Sequence, residues 1–149
     1  MSKISTVFDT ISTDLATLFP TKTVIPYPES LSDNPETLLR NGYGVTFEGS
    51  TLNGDEFCGY AIDYNFKIIL TKAFVDFDSN YSNDDTTKKE LLEDVYLVQK
   101  DFYNVDKIGL GDNVERISLG SVSPIQSLDN KRKIRYVELN LTFNIKEGF

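Results

Sequence analysis

A chain of 149 residues has the length of one ordinary domain, and its 40% apolar and 12% aromatic residues are enough to fill a folded core. The formal charge of −8, from 23 acids against 15 bases, excludes a tight nonspecific grip on phosphate backbones, which needs Lys and Arg to displace counterions. With no histidine, Ser-His-Asp and Cys-His nucleophiles and His-containing zinc sites are excluded, and with Cys58 as the single cysteine so is an intramolecular disulfide.

The first segment, from Met1, has no secretory core, because Ser5, Thr6, Asp9, Thr10, Ser12 and Asp14 interrupt every apolar run. No stretch approaches the ~20 apolar residues of a membrane helix. The expectation is a protein made in the cytoplasm, with no membrane partner.

Ile4, Val7, Phe8, Ile11, Leu15 and Leu18 recur at three- and four-residue steps, which predicts an amphipathic helix closed by Pro20. Residues 21–27 are β-branched at Thr23, Val24 and Ile25. Pro26 and Pro28 cannot donate ladder bonds, so this segment reads as an edge strand or extended connection. Asn34-Pro35-Glu36 reads as N-cap, first helical position and acidic first turn of a short helix through Leu38 and Leu39. Tyr43, Val45 and Phe47 alternate as a strand, and residues 49–55 read as a polar turn around Asn53-Gly54.

The longest predicted strand covers about 57–75. Cys58, Tyr60, Ile62, Tyr64, Phe66, Ile68 and Leu70 face one side; Ala61, Asp63, Asn65, Lys67 and Thr71 face the other, polar side. After a polar loop at 76–86, Thr87-Lys88-Lys89-Glu90 matches a capping box. The helix that follows aims Leu91, Leu92, Val95, Val98 and Phe102 at the core and ends near Asn104. Residues 114–119 read as a strand. The last strand alternates Val137, Leu139, Leu141, Phe143 and Ile145 with Glu138, Asn140, Thr142 and Asn144. This order predicts an α+β domain over 1–149: an antiparallel or mixed sheet built from hairpins, with two main helices on one face.

Chemical motifs are few. Asp76-Phe77-Asp78-Ser79-Asn80 starts like a calcium loop, but Tyr81 and Thr87 stand where the glycine and the bidentate glutamate belong, so it reads as a solvated acidic loop. Gly109-Leu110-Gly111 precedes a strand and does not open a helix, so it reads as a turn. Asp63 is an acid between apolar neighbours, and alternation points it outward; a glycosidase-like pair needs a second acid facing it across a cleft, which sequence spacing does not reveal. Cys58, on the apolar side, reads as an inert small hydrophobe. No cofactor and no metal is expected, and no catalytic residue is assigned.

The dense basic cluster is Lys131-Arg132-Lys133 with Arg135. It reads as a solvated hairpin tip. Its second reading is a contact with Asp76, Asp78, Asp84 and Asp85 on a neighbouring copy, a head-to-tail interface that closes into a ring where the rotation allows. A reading of another class makes Tyr60, Tyr64 and Phe66 the aromatic platform of a small carbohydrate- or peptide-binding module.

Four stretches resemble the tail-terminator (tail completion) proteins of tailed bacteriophages. They are Ile4-Ser5-Thr6-Val7-Phe8-Asp9, Asn34-Pro35-Glu36-Thr37-Leu38-Leu39-Arg40-Asn41-Gly42-Tyr43-Gly44-Val45, Tyr64-Asn65-Phe66-Lys67-Ile68, and Arg135-Tyr136-Val137-Glu138-Leu139-Asn140-Leu141-Thr142-Phe143. The resemblance implies an α+β subunit of a hexameric ring on the last ring of the tail tube. Such a ring stops tube growth and docks the head connector. It is a virion neck component with no enzymatic activity, and genomic DNA passes its channel without specific binding. A stopper or other connector subunit is the alternative within that class. The resemblance assigns no individual functional residue.

Overall fold

The computed structural model describes residues 3–55, 59–74, 81–103, 114–128 and 133–147. Along the chain these form helix α1 (Lys3–Leu18), strand β1 (Thr23–Val24), a 3-10 turn (Leu31–Asp33), helix α2 (Glu36–Leu39), strands β2 (Asn41–Asp55) and β3 (Gly59–Ala73), helix α3 (Tyr81–Phe102), and strands β4 (Val114–Val122), β5 (Gln126–Ser127) and β6 (Ile134–Glu147). The strands make one sheet in the order β1-β2-β3-β6-β4, with β5 also on β6. β1 runs parallel to β2 and every other pairing is antiparallel, so the sheet is mixed and the class is α+β, as the sequence predicts.

Period-two alternation places Tyr64, Phe66, Ile68 and Leu70 of β3 and Val137, Leu139, Leu141, Phe143 and Ile145 of β6 on one face. Helices α1 and α3 close over that face with Val7, Ile11 and Leu15 from one and Leu91, Val95, Val98 and Phe102 from the other, all in one buried cluster. Aromatic edges order its middle. Phe143 stands perpendicular to both Phe66 and Phe102, with centroids 5.9 and 6.5 Å apart, an arrangement worth about 0.5–1.5 kcal/mol per pair beyond area burial.

The opposite face is covered only at one end. The chain between β1 and β2 crosses it, and Ile25, Leu39 and Ile134 form a second small core there, with Leu31, Ala73 and Leu128 packed around it. This explains why Ile69 and Thr71, on the face that alternation makes polar, are buried. The crossing is tight. A Cβ on Gly42 would stand 2.6 Å from the Leu38 carbonyl oxygen and 2.9 Å from Ile25 Cγ1. Gly42→Ala is therefore expected to cost about 1–3 kcal/mol by forcing this packing apart, read as a shift of the urea midpoint without a change in slope.

Several local expectations are corrected. Asn34 is not the N-cap of α2; Pro35 occupies that place, and Asn34 ends the 3-10 turn. Its amide instead binds the loop behind it, where Pro26 and Pro28 leave the backbone few partners of its own. The polar turn placed at 49–55 is strand: β2 continues through Asn53-Gly54 to Asp55, in register with β3, after a bulge between Phe47 and Gly49. The pairing of β3 extends β2 past its own turn-forming residues.

Helix α3 starts at Tyr81, within the stretch read as a loop, so Thr87-Lys88-Lys89-Glu90 lies inside the helix and is no capping box. Thr87 is buried there. Leu92, assigned to the core, is 55% exposed, because the next turn of helix brings Val95 and not Leu92 under the sheet. Cys58, the 76–80 start of the acidic loop and Gly109-Leu110-Gly111 lie outside the described residues.

Candidate interaction surfaces

Beyond the small second core, the uncovered face of the sheet is a polar lattice. The Asn144 amide donates to Asp63 Oδ1 at 2.7 Å, and the Thr142 hydroxyl donates to Asn65 Oδ1 at 2.8 Å, each across the β3–β6 pairing. Asp63 does point to this outward side, as alternation predicts, and it sits within the lattice. Next along β3, Lys67 Nζ lies 2.9 Å from Glu138 Oε2 and 3.2 Å from Glu48 Oε1. The Thr46 hydroxyl donates to the same Glu48 oxygen at 2.7 Å.

These groups fix each other's charge. The Glu138 carboxylate, and then Glu48, raise the Lys67 pKa against the opposing effect of burial. The Thr46 hydroxyl, then Lys67, lower that of Glu48. An ammonium held in its charged form is no general base or nucleophile. The triad of Lys67, Glu48 and Glu138 floors a cleft of ≈ 250 Å³ whose walls include Pro28, Leu31, Leu128 and Tyr136.

Lys67→Met should expose the two carboxylates to each other and cost about 1 kcal/mol at neutral pH, a modest figure because the groups are partly solvated. The Glu48 share of stability is present above its ordinary value of 4.5 and fades as pH falls through its lowered folded value. The gap between wild type and variant, measured by urea unfolding, is therefore expected to narrow in acid.

An apolar surface lies on the other face, where α1 meets the β2 edge. Phe8 of α1 and Phe47 of β2 flank Phe66, with centroids 6.3 and 5.6 Å from it, and remain 37% and 47% exposed. Leu52, further along β2, is 59% exposed. The outer side of α3 carries Leu92 and Tyr96, also exposed, and Tyr103 just past its end is exposed too. The sequence reading takes Phe8, Phe47 and Leu92 into the apolar pattern of their elements because their spacing matches that of core positions, and it does not single out Leu52, Tyr96 or Tyr103.

Of the charged candidates, Lys131, Arg132, Asp76 and Asp78 lie outside the described residues. Lys133 precedes β6 with φ 53°, and its carbonyl accepts from Phe74 N–H at 3.1 Å. The Arg135 guanidinium stacks 4.8 Å over the Phe74 ring, a cation–π contact. Asp84 and Asp85 fall in the first turns of α3, where Asp85 is exposed. Arg135 pairs in register with Lys72, and Lys72 Nζ meets Glu90 Oε2 of α3 at 3.0 Å. The described basic and acidic candidates thus share one end of the molecule. Of the platform suggested for a carbohydrate or peptide, Tyr64 and Phe66 are buried beneath the helices.

Among the described residues there is no group of three or more acids, cysteines or histidines placed to hold a metal ion, and no helix long and apolar enough to cross a membrane. No protein-family model and no curated protein matches the chain. Among solved structures, a chain from the virion of a native gene transfer agent particle is similar in backbone arrangement at a TM-score of 0.45 and 13% identity, over 95% of this chain and 92% of that one.

Proposed function

We propose that this protein is a structural subunit of a tailed-phage virion, a ring-forming tail terminator that halts tail-tube polymerisation and joins the tail to the head connector. The observation that carries this reading is the one-sided architecture. Both main helices lie on one face of the sheet, and the other face is a cross-linked lattice of Asp63, Asn65, Lys67, Glu48, Glu138, Thr142 and Asn144. A face of this kind keeps its shape without a covering layer, as a subunit that works by contact requires. The sequence resemblance to tail terminators supplies the particular role.

In this reading the mechanism is geometric. Copies of the chain form a ring, a hexamer in the resembled family, which covers the last exposed edges of the tube and leaves no template for another tube subunit. The net charge of −8 keeps the ring from holding the DNA that passes through it. The partners are further copies, the tube protein and the connector; no cofactor and no catalytic step is involved. The place of action is the virion neck, after synthesis in the host cytoplasm.

Electron microscopy of the purified protein mixed with its native tail tubes tests this. Particles at the head-proximal end alone are expected. Decoration along the shaft, or at the distal tip, would overturn the reading.

A further inference from the structure

Among the described residues the sheet ends in two open edges. β1 occupies only Gly42 and Tyr43 of β2, so among the described residues 45–55 of that strand have no neighbour on their outer side. At the other end β4, nine residues long, pairs among the described residues with β6 alone. Open edges in a soluble chain are normally blunted by lysine, proline or inward charge. From Val45 to Leu52 the one charged residue is Glu48, and it is drawn back over the polar face by Lys67. From Ile117 to Val122 of β4 there is no charge and no proline.

We propose that copies of this chain join edge to edge, β4 of one adding to the free length of β2 in the next, so that their sheets continue as one. Strand direction favours this pairing. β2 and β6 run one way, β3 and β4 the other. A neighbour's β4 laid beside β2 therefore continues the antiparallel alternation with the helices kept on one side. The same side carries the apolar residues of both edges: Phe47 and Leu52, more than 45% exposed, on β2, and half-buried Ile117, Leu119 and Val122 on β4. Joining the edges puts these side chains into one layer and satisfies two rows of backbone donors and acceptors. The bulge between Phe47 and Gly49, with Gly49 at φ +106°, bends β2 and gives the joined sheet curvature. The contact is heterologous, so it propagates round an axis and does not stop at two copies. It rests on the self-associating reading above and supplies that reading with its interface.

The experiment uses exposed or partly exposed positions, so that the fold is retained. Phe47→Lys with Leu52→Lys guards the β2 edge, and Ser118→Lys with Ser121→Lys guards the β4 edge; Thr51→Lys replaces the first pair if it fails to fold by circular dichroism. Native mass spectrometry is expected to show wild type assembling and each variant alone as monomer. An equal mixture of the two variants is expected to give a one-to-one heterodimer and nothing larger, since one intact β4 and one intact β2 remain. Assembly of either variant alone, or a mixture that stays monomeric, would overturn the proposal. Variants that assemble like wild type and still cap tail tubes would remove this contact and leave the terminator reading standing. A folded wild type that neither associates nor binds tubes would remove both.

Discussion

Asn34→Asp is expected to lower the unfolding free energy by about 3–5 kcal/mol at neutral pH, and Asn34→Ala by about 1–3 kcal/mol. The difference follows from what the amide does. Asn34 is 3% exposed; its Oδ1 accepts from Tyr27 N–H at 2.9 Å, and its Nδ2 donates to the carbonyls of Tyr27, Ser30 and Leu31 at 2.9–3.1 Å. Each of those carbonyls also accepts a backbone N–H, from Ser30, Asp33 and Asn34 respectively. Alanine therefore orphans one donor, the Tyr27 N–H, and leaves a small void. Aspartate keeps that acceptor but turns the donor into a second carboxylate oxygen facing three carbonyl oxygens.

Protonation restores one donor to such a carboxyl group, so its folded pKa lies above its unfolded one. The penalty of Asn34→Asp is then full above the folded value and is relieved as pH falls through it towards the unfolded value. Urea unfolding of both variants at neutral and acid pH checks this. Equal losses for alanine and aspartate at every pH would show that the amide donors are not what holds the loop. Because this loop carries Leu31 over Ile25, Leu39 and Ile134, loosening it also opens the covered end of the second face.

The same residue shows why part of this structure was legible in sequence and part was not. Helix α1 and strand β6 follow from periodicity alone, since each lays one continuous apolar row against the main core. Asn34-Pro35-Glu36 matches a helix start equally well at the local level. What decides its role is the backbone of Tyr27 and Ser30, folded back by two prolines, and that is a tertiary fact.

Thr87 and Glu90 have the spacing of a capping box, but the helix already runs from Tyr81, so the spacing falls on interior turns. Asn53-Gly54 is a strong turn signal overridden by pairing with β3. In each case a short-range preference of about 1 kcal/mol yields to many ladder bonds or to burial. The candidate surfaces were the least legible. Phe47 and Leu52 read as ordinary strand residues, and only the sheet order shows that their strand lies beside an unpaired edge. The charged clusters are easy to find, but of their eight residues Lys133, Arg135, Asp84 and Asp85 alone lie among the described ones.

Lys22 makes the second large prediction. It lies in the turn after α1 with its side chain 3% exposed, its ammonium 3.0 Å from Asp94 Oδ2 of α3 and 2.7 Å from Asn41 Oδ1 at the start of β2. The ring of Phe19 lies 5.4 Å away. One side chain thus ties α1, β2 and α3 together. Lys22→Met is expected to cost about 3–5 kcal/mol, because it leaves the Asp94 carboxylate, 14% exposed, without its counterion.

The double variant Lys22→Met with Asp94→Leu is expected to fall within about 1 kcal/mol of wild type, since burying an ion pair costs desolvation that an apolar pair does not. The pH response separates this from simple packing. Burial lowers the Lys22 pKa below 10.5 in spite of Asp94, so between the folded value and 10.5 the unfolded chain holds more protons than the folded one. Stability from this group therefore rises with pH across that window. Wild type should gain on the double variant as pH climbs towards 10.5; a difference that stays flat would mean that the ammonium is not desolvated where it sits.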